Sequence, residues 1–190
     1  MTRLTLGLVA DTHVPDRRRR LHPALLPALR AAGVSQILHA GDISRPRVLA
    51  ELAQVAPVLA VRGNRDWFRS DDLPLTRCLT AGGVRVGLTH GHGGWRAYLA
   101  DRLRYLVMGP QSFEFFAERA VAMLPDAQVV VFGHSHEPMI TQLGNCLVIN
   151  PGSACCQALP GRGPTFALLH IEGKKFEAEI VSMDIQPAKQ

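Results

Sequence analysis

Leu6-Gly7-Leu8-Val9-Ala10-Asp11-Thr12-His13 decides how the chain is read. A short apolar run with a β-branched residue reads as a buried strand. This one ends on two residues of metal-ligand type, Asp11 and His13. The pattern recurs four times. Ile37-Leu38-His39-Ala40-Gly41 ends on Asp42, and Val58-Leu59-Ala60-Val61-Arg62-Gly63 ends on Asn64. Val86-Gly87-Leu88-Thr89 ends on His90, with His92 behind it. Val129-Val130-Val131-Phe132-Gly133 ends on His134, with His136 beyond. Ligands of open α/β sheets lie at the carboxyl ends of strands. Two carboxylates, one amide and a set of imidazoles are therefore expected in one place.

Working outward, the first half alternates. Strands are predicted over 3–10, 36–40 and 58–62. A helix is predicted over 22–32, stopped by Gly33, with Pro27 weakening or kinking it unless the helix starts later. A second runs from an N-cap at Ser44, with Pro46 in its first turn, to Val55. The β-α-β-α-β order implies parallel strands. Next come a hairpin, 75–80 and 84–89, turning at Ala81-Gly82-Gly83, and a helical segment over 95–124 broken at Gly109-Pro110. The apolar positions of that segment, Leu99, Leu103, Leu106, Phe116, Ala120 and Leu124, recur at helical spacing. They are expected to pack in the core, with the segment shaping one wall of the site or a dimer surface. Further strands are predicted over 128–132, 138–143, 146–149, 165–171 and 176–183. The expected class is α/β: a β-sandwich of two mixed sheets flanked by helices. One domain is expected over 1–190, with a helical insertion at about 95–124.

Composition narrows the function. Of 190 residues, 47% are hydrophobic and 19% charged, which suits a folded globular protein. The net charge of +5 suits an anionic substrate. Part of it sits in Arg17-Arg18-Arg19-Arg20, read as a solvated loop. Nucleic acid is not expected as a partner, because only the basic balance and that run support it and no aromatic-interleaved basic stretch is read beside them. Cys78, Cys146, Cys155 and Cys156 show no C-x-x-C spacing, so reduced thiols of a cytoplasmic protein are expected. No apolar run approaches the ~18 residues of a membrane span. Ser153 lies in no G-x-S-x-G setting, so a serine nucleophile is not expected.

Asp11-x-His13 and His134-x-His136 share an i, i+2 spacing, which in extended backbone points both side chains the same way. Gly41 and Gly63 let the backbone turn and approach an ion closely. Oxygen and imidazole donors without thiolate favour Mn²⁺, Fe, Zn²⁺, Ni²⁺ or Co²⁺ over Ca²⁺ or a structural zinc. Asp11, His13, Asp42, Asn64, His90, His134 and His136 are too many ligands for one such ion. Two ions that share a carboxylate use them all, and such pairs hold the nucleophilic water between them. The resulting positive site draws in a phosphate ester.

These residues carry a resemblance. Asp11-x-His13, Gly41-Asp42, Gly63-Asn64, His90-Gly91-His92 and Gly133-His134-Ser135-His136 look like the ordered motif set of the calcineurin-like metallophosphoesterases. Asn150-Pro151-Gly152-Ser153 resembles a further motif of the small single-domain phosphodiesterase branch. The resemblance spans roughly 4–183. It implies that Asp11, His13, Asp42 and His136 hold a first metal, that Asp42 bridges, and that Asn64, His90 and His134 complete a second. It implies a binuclear phosphoesterase, foremost a phosphodiesterase, with a metal-bridging hydroxide as nucleophile and Mn²⁺ as the first candidate metal. The substrate would be a small phosphate ester such as a nucleotide or cyclic nucleotide; a homo-oligomer is compatible. Many relatives carry a proton-donating His after Gly-Asn, whereas this chain has Arg65. Arginine cannot act as a general acid near neutral pH but can clamp phosphate oxygens. That points to diesters with good leaving groups, protonated by solvent or by His92. His92 could equally stand behind the ligands as a hydrogen-bond partner. Relatives that serve as protein-interaction subunits suggest a non-catalytic scaffold as the other reading. A scaffold would be expected to lose ligands, and this chain keeps all seven. His39 is expected as a satisfied core histidine, Asp16 as a solvated loop residue, and Asp66 as a ligand orienter or turn cap.

Overall fold

The computed structural model describes residues 3–66, 72–156 and 163–183. One mixed sheet has the order β10-β9-β1-β2-β3. It contains β1 (Leu4–Val9), β2 (Gln36–His39), β3 (Val58–Ala60), β9 (Thr165–Glu172) and β10 (Lys175–Ser182). The other has the order β4-β5-β6-β8-β7, from β4 (Thr76–Ala81), β5 (Val84–Thr89), β6 (Val129–Val131), β7 (Pro138–Leu143) and β8 (Cys146–Pro151). Strands β1, β2 and β3 are parallel, as are β5, β6 and β8. The hairpin partners β4, β7, β9 and β10 run antiparallel. The two sheets bury Leu6, Leu8, Leu38, Val86, Leu88, Val129, Val131 and Ile149 between them.

The outer faces are covered as well, which explains why the central strands are apolar at nearly every position. On the first sheet, Val9 and Ile37 meet α1 (Leu25–Ala31) and α2 (Pro46–Leu52) through Leu25, Leu29, Val48 and Leu52. On the second, Val130, Phe132 and Val148 meet Phe116, Ala117 and Ala120 of α4 (Phe113–Ala122). Burying each such Leu or Phe contributes roughly 1.5–3 kcal/mol. The sandwich of two mixed sheets with flanking helices is the expected one.

Helix α1 begins at Leu25, the later start that the proline allowed, so Pro27 lies in its first turn, where an N–H has no intrahelical acceptor to lose. Further local expectations are corrected. Ser44 does not cap α2. The N-cap is Arg45, while the Ser44 hydroxyl donates to Asp16 Oδ2 at 2.8 Å. Asp16 is thus tied to the α2 loop rather than merely solvated. Finally, the apolar face of α3 (Trp95–Met108) does not enter the core. Leu99, Leu103 and Leu106 are exposed, and Asp101 is the buried residue of this helix. Helical spacing shows which side chains share a face; it does not show what covers that face. No helix among the described residues is long and apolar enough to cross a membrane.

Candidate metal centre

Five strands from both sheets deliver the predicted residues at their carboxyl ends. Asp11 and His13 follow β1, Asp42 follows β2 and Asn64 follows β3; His90 and His92 follow β5, and His134 and His136 follow β6. The backbone there is not extended, which corrects the basis of the i, i+2 argument. Asp11 (φ 53°), His13 (47°), Asp42 (55°), His134 (72°) and His136 (60°) are all left-handed. Such a conformation costs a non-glycine residue on the order of 1–3 kcal/mol and clusters at functional sites. A dense frame holds it. The Asp11 and His13 amides donate to Gly41 and Asp42 carbonyls, and the His134 amide donates to Asp11 Oδ2 at 3.0 Å. The Ser153 hydroxyl donates to the Asp11 carbonyl at 2.8 Å. Asn150 Nδ2 donates to the Gly133 carbonyl and to Ser135 Oγ, each at 2.9 Å. The Asn-Pro-Gly-Ser stretch therefore braces two of the site loops.

Two groups of ligand-type side chains result: Asp11, His13 and His136, and Asp11, Asp42 and His90. Within each, the donor atoms lie within 4.8 Å of one another. Asp42 reaches both ways, with Oδ2 3.7 Å from His13 Nε2 and Oδ1 3.4 Å from His90 Nε2. Asn64 Oδ1 lies 3.1 Å from His90 Nε2 and 2.9 Å from His134 Nδ1. His90 Nδ1 donates to the Ala40 carbonyl at 2.6 Å, and His136 Nδ1 to the Cys156 carbonyl at 3.1 Å. When these rings are neutral, the bonds leave the lone pair on Nε2, the nitrogen that faces the other ligands, as backbone partners of metal-ligating histidines do.

The donor set fits divalent cations. In a neutral His90 ring, Nε2 and Asn64 Oδ1 face each other with no hydrogen between them. His13 Nε2 and His136 Nε2 stand 3.0 Å apart, and both lie near the buried Asp11 Oδ1, at 3.7 and 3.3 Å. Charge tells the same story. Burial would raise the Asp11 carboxyl, but the imidazolium charge of His136 and its close contact, with His90 and His13, hold it well below the ordinary carboxylate value. Burial would lower His136, yet the Asp11 carboxylate overrides it and raises this imidazole to about 10. Burial lowers His13 and His134 to about 3 each. It raises Asp42 to about 6, against the pull of His90. Oxygen and nitrogen donors aimed at one another without enough protons to share are what a cation reconciles.

The calcineurin-like phosphoesterase superfamily domain model matches residues 4–174. The chain belongs to that superfamily. It is 35% identical over 178 residues, 94% of this chain and 92% of the other, to a probable metallophosphoesterase of Methanothermobacter thermautotrophicus. It is 26% identical to a phosphodiesterase of Methanocaldococcus jannaschii, across 94% of this chain and 99% of that one. Among solved structures, vacuolar protein sorting 29 of Cryptosporidium parvum shares the fold with a TM-score of 0.76 at 20% identity, over 97% of this chain and 94% of that one. Family and side-chain groups together point to divalent-metal binding.

Around this centre the remaining residues sort themselves. Asp66 is fully buried and accepts the Gly63, Ile43 and Ser44 amides at 2.8–3.3 Å. It thereby ties the Asp42 loop to the Asn64 loop, which joins both roles expected of it. Gly41 and Gly63 serve that junction. A side chain on Gly63 would run into the Asp42 amide and Oδ1, and one on Gly41 would meet Gly63 and His90 Nδ1 at 2.8 Å. His39 is the satisfied core histidine expected: it accepts the Gly41 amide on Nδ1 and contacts Thr12 Oγ1 through Nε2 at 3.2 Å. His92 is buried, its imidazole lowered to about 2 by burial and by His90, and its ring stands edge-on to His90 at 5.3 Å. The Arg65 amide donates to Asp42 Oδ1 at 2.8 Å, and its side chain lines a cleft of about 210 Å³ over the centre.

The cleft also takes one wall from the 95–124 segment, as expected, through residues that the sequence did not single out as site residues. Tyr98, Asp101, Arg102 and Tyr105 of α3 line it, and so does Arg17. Arg17 also contacts Cys156 Sγ at 3.3 Å, and Arg18 donates to the Cys155 carbonyl, so the arginine run is in part a site edge rather than a solvated loop. The available signal was the interleaving of Trp95, Arg96, Tyr98, Arg102, Arg104 and Tyr105 on one helix.

Proposed function

We propose that the chain is a binuclear metal-dependent phosphoesterase, foremost a phosphodiesterase, whose single catalytic domain covers 1–190. The observation that carries this reading is the Asp42 carboxylate, whose two oxygens face His13 on one side and His90 on the other. Asp11, His13, Asp42 and His136 would hold one ion, and Asp42, Asn64, His90 and His134 the other, with Mn²⁺ the first candidate and Fe, Zn²⁺, Ni²⁺ or Co²⁺ compatible. When bound, such a pair lowers the pKa of a shared water and offsets charge on the phosphoryl oxygens. The chain's own groups do the rest. Arg65 binds a non-bridging phosphate oxygen from the cleft rim, and Asn150 and Ser153 keep the ligand loops from relaxing. His92, buried against the His90 ring and held neutral, supports His90, and the leaving group takes its proton from solvent. This favours diesters with good leaving groups. The four cysteines are free thiols, in keeping with a cytoplasmic location.

A second reading is supported by α3. Trp95, Leu99, Leu103, Leu106, Val107 and Met108 are all exposed, a face that suits a scaffold or a second copy of the chain. One experiment separates the two. Purified protein is assayed on bis(p-nitrophenyl) phosphate after metal stripping and again after Mn²⁺ is restored. Turnover that vanishes and returns supports the hydrolase; absence of turnover under every divalent ion, with metal bound, leaves the scaffold.

A further inference from the structure

Helix α3 stands at the centre with few ties to the body. Its buried residue, Asp101, pairs with Arg119 of α4 through two hydrogen bonds of 2.5 and 2.9 Å. Arg119 also donates to the His92 carbonyl and lies over the Phe115 ring at 4.6 Å. Gln111 donates to the Asp101 carbonyl. This clasp sets the rotation of α3 about its axis. It sends positions 98, 101, 102 and 105, one helical face, toward the cleft.

That face is unlike a general phosphate site. Tyr98 stands edge-on to His134 at 6.2 Å, so a ring lies directly beside a residue of the centre. Tyr105, two turns further along, is half exposed within the cleft lining. Arg102 lies between them on the helix, and Arg17 and Arg65, from other loops, also line the cleft. Asp101 is already neutralised by Arg119. One phosphodiester carries a single negative charge and needs at most one bidentate arginine. Three arginines and two tyrosines around about 210 Å³ exceed what a bare dialkyl phosphate could use.

We propose that the inner face of α3 selects the substrate of this centre, with Tyr105 stacking a flat aromatic ring on one arm of the diester and Arg102 binding a further negative charge on that arm. The inference rests on the hydrolase reading above and narrows it to ring-bearing, multiply charged diesters, the chemistry of a phosphorylated nucleotide diester. Tyr105 and Arg102 are specificity residues. Asp101 and Arg119 are positioning residues, acting only through the placement of the helix.

Three probes with one leaving group test this: methyl p-nitrophenyl phosphate, thymidine 5′-p-nitrophenyl phosphate, and the latter carrying a 3′-phosphate. Wild type is expected to gain roughly tenfold in kcat/KM at each step, the scale of one base–aromatic stack and of one charge-assisted contact. Tyr105→Ala should collapse the first ratio toward one, while Tyr105→Phe, which keeps the ring, retains it. Arg102→Ala should collapse the second ratio, and Asp101→Asn should weaken both, through KM. Ratios within twofold of one in wild type, or the same ratios in Tyr105→Ala and wild type, overturn the proposal. If no probe is turned over, the hydrolase reading fails on its own, and calorimetry with thymidine 3′,5′-bisphosphate against inorganic phosphate decides the matter. Binding of the nucleotide that wild type shows and Tyr105→Ala loses supports the α3 site; equal affinity for both ligands overturns it.

Discussion

Asp66 shows how one side chain can govern a centre it does not enter. Its carboxylate satisfies three buried amides, and two of them directly follow the Asp42 ligand. Removing the acceptor leaves those amides orphaned, at about 1–3 kcal/mol each. Asp66→Ala is therefore expected to lower stability by about 2–5 kcal/mol and to cut metal content, with thermal unfolding and elemental analysis as the measurements. Unchanged stoichiometry would show that the loops hold their shape without it. Arg65 gives a contrasting case. It is exposed, so truncation should spare the fold. Arg65→Ala is expected to reduce kcat/KM for a diester by roughly 10–1000-fold, the span of a lost charge-assisted contact, at constant metal content. Arg65→Lys should recover part of the loss, since a point charge lacks the fork. Rates within twofold of wild type in both variants would remove the arginine from substrate binding.

At the scale of elements, the ends of strands carry the chemistry, and the sequence marked them well. Apolar runs closing on Asp11, Asp42, Asn64, His90 and His134 located all five loops, because a strand buried on both faces is legible as an uninterrupted apolar run. What it hid was how those loops turn. Left-handed φ at Asp11, His13, Asp42, His134 and His136 replaces the extended backbone expected, because contacts from distant loops impose the strained form. That the 95–124 segment forms a wall was legible, but which residues face the cleft was not: the Asp101–Arg119 pair that ties α3 to α4 is a contact between helices. Gly63 shows how close two loops come. Gly63→Ala would drive a methyl group into the Asp42 amide and Oδ1, and backbone has nowhere to move. It is expected to destabilise by about 1–3 kcal/mol, as overpacking does, and to lose metal occupancy. Gly144→Ala, at a hairpin with nothing within 4 Å of the added carbon, is the control, and should keep its metal. Equal metal content in the two variants would contradict the close-approach argument.

Across the whole molecule, the centre joins the two sheets: Asp11, Asp42 and Asn64 come from one, His90, His134 and His136 from the other. Without a cation that seam is closed by the Asp11–His136 contact of 3.3 Å. His136 rises from 6.5 to about 10 on folding. A raised folded value gives stability that is fully present below the unfolded value, near 6.5, and is lost as pH climbs through about 10. Metal binding works the opposite way, since a ligating imidazole must be neutral. Near pH 7.5, His13 and His134, lowered to about 3, are already neutral, and Asp42, raised to about 6, is mostly ionised. His136 is then the ligand with a proton to expel. Filling the site is expected to release about one proton per chain, and affinity should rise about tenfold per pH unit between roughly pH 6 and pH 10, by linkage. Below about pH 6 the Asp42 carboxyl also binds a proton, so the dependence should steepen toward two protons. Calorimetric titration of stripped protein with Mn²⁺, in buffers of different ionisation enthalpy, counts the protons directly. A value near zero at pH 7.5 would mean that His136 is neutral before the ion arrives, and the Asp11 pairing would then lose its place in holding the sheets together.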